Sequence, residues 1–266
     1  MVDFEIKDHY DLDDYVKLIK ALRDPVNGCP WDREQTHESI RENFLEEVCE
    51  AMEAIDRNDK ELLLEELGDV MMQVLLHAEI EHQSGGFDIY DIADASCKKL
   101  VFRHPHIFGD VVAETSDKVL STWEDVKRVE KKQKTGWDAM NDVARTFPAL
   151  MRSQKVQKRA AYVGFDYPDV SMAMDDLRSE VDELQSALDG SGDLEEEIGD
   201  VIFSAVNVAR FAGVESELAA ERACEKFMER FHRVEKLAAE QGVNMSECGI
   251  DRLNELWYTA KSSPKD

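Results

Sequence analysis

Two acidic stretches hold the residue types and spacings that suggest chemistry. The first reads Leu45-Glu46-Glu47-Val48-Cys49-Glu50 and, after a gap of about a dozen residues, Leu64-Glu65-Glu66-Leu67-Gly68-Asp69-Val70. On a helix, residues three apart lie on one face, so Glu47 pairs with Glu50 and Glu66 with Asp69. Two such helices packed antiparallel would bring four carboxylates together. At an effective dielectric of about 20, each like-charge pair ~4 Å apart costs roughly 4 kcal/mol. Such a cluster calls for a cation, and a hard divalent ion such as Mg²⁺ suits oxygen ligands. The ion would bridge phosphate oxygens, neighbouring Lys or Arg would neutralise the remaining charge, and a spare carboxylate would deprotonate or orient a water. That is the chemistry of phosphoric-anhydride hydrolysis. No GxxxxGK[ST] pattern is present to cradle phosphates on backbone amides.

The second half of the chain repeats the set. Glu180-Val181-Asp182-Glu183 answers Glu47 to Glu50, and Leu194-Glu195-Glu196-Glu197-Ile198-Gly199-Asp200-Val201 answers Leu64 to Val70. Lys99 and Arg103 recur as Lys226 and Arg230, four apart on one helix face, where they would salt-bridge to acids or hold phosphates. Trp123 with Lys127 recurs as Trp257 with Lys261. A single E-x-x-E in so acidic a chain reads as a solvated face; a duplicated set with its cations reads as a site. Trp31, Trp123 and Trp257 are core candidates by size, and Trp257, near the end of the chain, is also placed to stack on a base.

Helices must carry these residues. Apolar positions at helical spacing mark Asp11 to Arg23, Ser39 to Asp56 with the stripe Leu45, Val48, Met52 and Ile55, a segment capped by Asn58 and Glu61 that runs to Gln83, Ile89 to Phe102, and Ser116 to Lys132. Alternating strand patterns are absent. The expected fold is all-α, a tandem duplication of a unit of four or five helices. The expected division is an N-terminal domain over 1–135, a polar linker over 136–147 and a C-terminal domain over 148–266.

Composition narrows the field. The 266 residues carry 32 Lys+Arg against 58 Asp+Glu, a net charge of −26, which argues against nucleic acid as a partner. Five cysteines without a CxxC pair fit reduced thiols. The first residues lack an apolar signal-peptide core and no run approaches a membrane span, so a soluble cytoplasmic protein with no membrane contact is expected. Two rival readings stay open. Glu34 with His37, Glu79 with His82 and Glu229 with His232 are E-x-x-H pairs of the kind that a ferritin-like di-iron carboxylate protein uses, although none recurs in the other half. A non-catalytic acidic helical scaffold is the other. His104-Pro105-His106 reads as structural.

The sequence resembles the MazG family of nucleoside triphosphate pyrophosphohydrolases, whose signature E-E-x-x-E, spacer, E-x-x-D stands here as Glu46-Glu47-x-x-Glu50 with Glu66-x-x-Asp69. Leu22-Arg23-Asp24-Pro25, Asn27-Gly28-Cys29-Pro30-Trp31-Asp32, Arg103-His104-Pro105-His106, Pro148-Ala149-Leu150 and Val163-Gly164-Phe165-Asp166 extend the likeness to the tandem-domain bacterial form. The resemblance implies Mg²⁺, with Mn²⁺ as a substitute, a homodimer, and hydrolysis of NTP or dNTP to the monophosphate and pyrophosphate as nucleotide-pool house-cleaning. It also implies that the C-terminal copy works: Glu180, Glu183, Glu197 and Asp200 on the metal, with Glu180 and Glu183 catalytic, and Lys226, Arg230, Trp257 and Asn207 on the nucleotide. Two departures stand out. Ser179 replaces the first Glu of the signature, and Asp176 and Asp193 stand where relatives can carry Lys. Glu46, Glu47, Glu50, Glu66, Asp69, Lys99 and Arg103 form the second candidate site, with Leu76 where the C-terminal copy has Asn207.

Overall fold

In a computed structural model the described residues are 4–109, 115, 119, 126–131 and 133–262. Trp123 lies outside them, as does most of the helix expected over Ser116 to Lys132. The chain forms two compact units, Met1–Lys127 and Arg128–Asp266, and the described residues contain helices and turns without a strand.

The first unit contains α1 (Leu12–Leu22), α2 (Arg41–Asp56), α3 (Lys60–Gln83), α4 (Ile89–Arg103) and the single turn α5 (Pro105–Phe108). Aspartates start α1, α3 and α4 by accepting from the first free amides. Asp11 caps α1 and Asp88 caps α4, each in a reciprocal box with the acid three residues on. At α3 the cap is Asp59, which accepts from the amides of Glu61 and Leu62, and not Asn58 as expected. Asn58 turns the chain instead, in the left-handed region at φ 52°; its short amide side chain tolerates that region better than most.

The α2–α3 pair is the main helix contact of this unit. It is made through small residues: Ala51 and Ala54 of α2 are buried, and their size lets α3 approach. The stripe Leu45, Val48, Met52 and Ile55 therefore points elsewhere, with Leu45 62% and Ile55 61% exposed. The buried core lies at the other end of the pair, where Val16 and Ile19 of α1 meet Ile40, Leu75 and Leu76. Buried Arg23 ties the loop after α1 to α3, donating to the carbonyls of Asp32 and Gln35 and to Gln83 Oε1. In that loop Gly28 leaves no room for a side chain, because a Cβ would fall on the backbone of Leu22 and Asp24. Gly28→Ala is expected to lower stability by about 1–3 kcal/mol, the usual cost of overpacking, read as a fall in the melting temperature.

The second unit contains α6 (Gly136–Asn141), α7 (Ala149–Tyr162), α8 (Val170–Leu188), α9 (Leu194–Phe211), α10 (Ser216–Glu240) and α11 (Gly249–Ser262). Its dominant contact is α8 on α9, the counterpart of α2 on α3. Asp169 caps α8 and Asp193 caps α9, so Asp193 has a structural use of its own. Gln154 of α7 fixes the turn from α9 into α10: its Nε2 donates to Val214 O at 2.8 Å, and its Oε1 accepts from Ser216 N at 3.0 Å and Ser216 Oγ at 3.1 Å. A separate core joins the far end of α10 to α11 through Val234, Ala238, Leu256 and Ala260.

Candidate active site

Each helix pair gathers carboxylates as the spacing requires. In the first unit one oxygen each of Glu47, Glu66 and Asp69 lie within 4.8 Å of one another. In the second the same holds for Glu180, Glu183 and Glu197. The remaining member of each set is close by: Glu50 acts electrostatically on Glu47 and Glu66, and Asp200, itself exposed, acts on Glu180 and Glu197. Glu46 is exposed beside Glu47.

The charge is uncompensated. Burial, then Glu183, Asp200, Asp176 and Glu197, pushes the Glu180 carboxyl up. Burial, then Glu183 and Asp200, does the same to Glu197. In the first unit burial and the surrounding acids raise Glu66, and burial raises Glu47 against the opposing hydrogen bond from Gln73 Nε2. Among the described residues no lysine or arginine makes an ion pair with these six carboxylates. Three converging oxygens, several with pKa values raised by one another, are a donor set suited to a hard divalent cation.

Lys99 and Lys226 are exposed and Arg103 is buried. The Arg230 guanidinium lies 4.8 Å over the Trp257 ring, which Phe227 meets at 5.3 Å, so these three form one cluster where α10 meets α11. Trp257 is partly buried there, whereas Trp31 is 56% exposed and is not core.

Around Asn207, already a candidate, the structure gathers further residues. Asp176, one turn before Glu180, accepts from Ser204 Oγ at 2.8 Å and from the Tyr167 hydroxyl. Asn207 Oδ1 accepts from Arg210 Nε at 3.0 Å and Nη2 at 2.7 Å, and the Arg210 guanidinium is paired with Asp166. Asp176, Tyr167, Ser204, Asn207, Arg210 and Asp166 all line a cavity of about 500 Å³, whose apolar wall includes Val156, Phe165 and Phe203. The sequence signal for this part was faint: three polar residues, Ser204, Asn207 and Arg210, on an otherwise apolar stretch of α9. In the first unit the position of Asn207 is taken by Leu76, which is 2% exposed in the core with Ile40 and Leu75.

The E-x-x-H pairs do not assemble. His37 turns to α3, with Nδ1 2.8 Å from His77 Nδ1 and Nε2 3.1 Å from Glu81 Oε2, and His232 faces Glu235. Among the described residues the two carboxylate groups are the ones with metal-binding geometry.

By architecture this is an all-α protein in which a helix pair bearing a carboxylate cluster is built twice. Comparison with known proteins specifies the class: the family model described as the MazG nucleotide pyrophosphohydrolase domain matches residues 35–108 and again 170–236. The chain is 42% identical over 259 residues to a nucleoside triphosphate pyrophosphohydrolase of Escherichia coli K12, covering 96% of this chain and 98% of the relative. It is 39% identical to the nucleoside triphosphate pyrophosphohydrolase/pyrophosphatase MazG of Thermotoga maritima over 249 residues, 94% of this chain and 95% of the relative. A nucleoside triphosphate pyrophosphohydrolase of Mycolicibacterium smegmatis is 41% identical over 154 residues, 57% of this chain and 46% of that one. The chain belongs to the MazG nucleotide pyrophosphohydrolase family and carries its domain in tandem. It is a metal-dependent hydrolase of phosphoric anhydrides, which sets aside the di-iron and scaffold readings.

Proposed function

We propose that the second unit converts nucleoside triphosphates and their deoxy forms to the monophosphate and pyrophosphate with Mg²⁺, clearing the nucleotide pool of the cytoplasm. The observation that carries the choice of unit is the cavity beside Glu180. A nucleoside needs room next to the carboxylates, and the second unit has it where the first buries Leu76.

Glu180, Glu183, Glu197 and Asp200 would hold Mg²⁺, with Mn²⁺ as a substitute. When bound, the ion supplies Lewis-acid neutralisation of phosphate charge. Lys226 and Arg230 balance the rest of the triphosphate charge, and Trp257, stacked under Arg230, offers the nucleotide an aromatic surface. Glu180 and Glu183 are the pair that takes the proton of the attacking water. The water oxygen bonds to the α-phosphorus as the bond from that phosphorus to the α,β-bridging oxygen breaks, and pyrophosphate leaves. The first copy serves as a structural or regulatory unit, or a weakly active one.

The working form is a homodimer in this reading. Both copies leave apolar side chains exposed on the helix that carries the second pair of acids: Leu64 and Leu67 in one, Ile198 and Ile202 in the other. Patches of this kind mark protein interfaces. None of the described helices is long and apolar enough to cross a membrane.

The test is turnover of a panel of NTPs and dNTPs with phosphate and pyrophosphate measured separately. Pyrophosphate and monophosphate in equal amounts are expected. Orthophosphate with the diphosphate as the products would sink the proposed reaction.

A further inference from the structure

We propose that the cavity of the second unit is a nucleobase pocket in which Asn207, held in one orientation by Arg210 and Asp166, selects bases that present a ring carbonyl at the edge remote from the sugar. This rests on the pyrophosphohydrolase reading of the neighbouring carboxylates.

The position comes first. Asp176 and Tyr167 line the cavity and also act electrostatically on or with Glu180, so the cavity begins at the carboxylate cluster. Along α9, Asp200, Ser204, Asn207 and Arg210 then lead away from it. Seven residues of helix separate Asp200 from Asn207, about 10 Å at 1.5 Å per residue, which is the length of a nucleoside from its 5′-phosphate to the far edge of the base. The volume of about 500 Å³ and the apolar wall suit a planar heterocycle.

The orientation of Asn207 is the specific part. An asparagine amide offers an acceptor at one end and two donors at the other. Here the oxygen end is used by Arg210 Nε and Nη2, and reversing the amide would set its NH₂ against a guanidinium that can only donate. Arg210 cannot turn away, since its outer nitrogens are engaged by both oxygens of Asp166 and its carbon lies 4.4 Å over the Phe211 ring. Asn207 therefore faces the cavity as a donor. A second wall residue has spare capacity: Gln157 is 7% exposed, its Nε2 donates to Phe203 O at 2.8 Å, and its Oε1 has no hydrogen-bond partner. A fixed donor that is left unpaired rejects a base which offers only another donor, because a buried polar group without a partner is costly. Uracil and hypoxanthine satisfy it with O4 and O6. Cytosine and adenine present an amino group at the same place.

The decisive variant is Asn207→Asp, which has the same shape, keeps an oxygen for Arg210 and turns the donor into an acceptor. With the full chain and Mg²⁺, kcat/KM ratios of UTP to CTP and of ITP to ATP are expected above one in the wild type and at least tenfold lower in the variant. Arg210→Met, which frees the amide to rotate, should bring both ratios towards one through KM while kcat changes less. Ratios in Asn207→Asp that match the wild type within twofold would overturn the pocket. Binding of UMP against CMP by calorimetry reads the cavity without turnover: equal affinity overturns the pocket, whereas preference for UMP together with absent pyrophosphate release overturns only the catalytic reading.

Discussion

Glu197→Gln is expected to lower kcat/KM for pyrophosphate release by on the order of a hundred- to a thousandfold, because it removes a ligand of the cation whose charge is aimed at the reacting phosphate. Its counterpart Glu66→Gln should leave turnover near the wild-type value. The two substitutions are chemically identical, each removes one carboxylate from a three-oxygen cluster, and both preserve side-chain volume, so melting temperatures separate a loss of folding from a loss of function. Steady-state kinetics on both proteins, with melting temperatures recorded alongside, decides the matter. Loss of activity in Glu66→Gln with retention in Glu197→Gln would reverse the assignment of the working copy. The carboxylates alone do not single out the second unit, because a three-oxygen group forms in each. What differs is the surroundings, Leu76 in a core against Asn207 in a cavity.

Removal of the divalent ion should have the second large effect. Chelation is expected to abolish turnover, and saturating Mg²⁺, at a hundred times its dissociation constant, should stabilise the occupied unit by about 2.7 kcal/mol. This gain has a predictable pH dependence. Glu47, Glu66, Glu180 and Glu197 all have pKa values raised in the folded protein, by burial first and neighbouring acids second. A raised carboxyl binds its proton more tightly when folded than when unfolded, so the metal-free protein loses stability as the pH rises from the ordinary carboxylate value of about 4.3 through the raised ones. The bound cation relieves that penalty. The shift in melting temperature on adding Mg²⁺ should therefore be largest near neutral pH and shrink on acidification through the raised values. A shift that grew on acidification would show that the cation is not held by these groups.

The carboxylate site was legible in the sequence because a three-residue spacing fixes which side chains share a helix face, and because the chain states the pattern twice. Glu180, Glu183 and Glu197 needed no further information to be placed together. The same periodicity misjudges the stripe Leu45, Val48, Met52 and Ile55. Helical spacing says that such residues share a face, but it does not say what covers the face, and here the closer fit of Ala51 and Ala54 to α3 wins the interior. Caps are ambiguous when two capable residues adjoin. Asn58 and Asp59 divide the work, one turning the backbone and the other holding the amides. The Arg210–Asp166 pair spans 44 residues and has no periodic signature. The cavity is a property of what the chain omits at one place, a large apolar side chain at position 207, and only comparison with Leu76 gives that omission meaning.

The exposed apolar faces of the two copies have one more consequence for a dimer of this chain. The two copies are covalently joined, so in such a dimer engagement at one face would raise the effective concentration at the other. Weak patches then suffice where a single domain would need a strong one. Such a dimer would come apart in two steps and rejoin after the first, which makes its lifetime, more than the affinity of either face, the quantity that duplication changes.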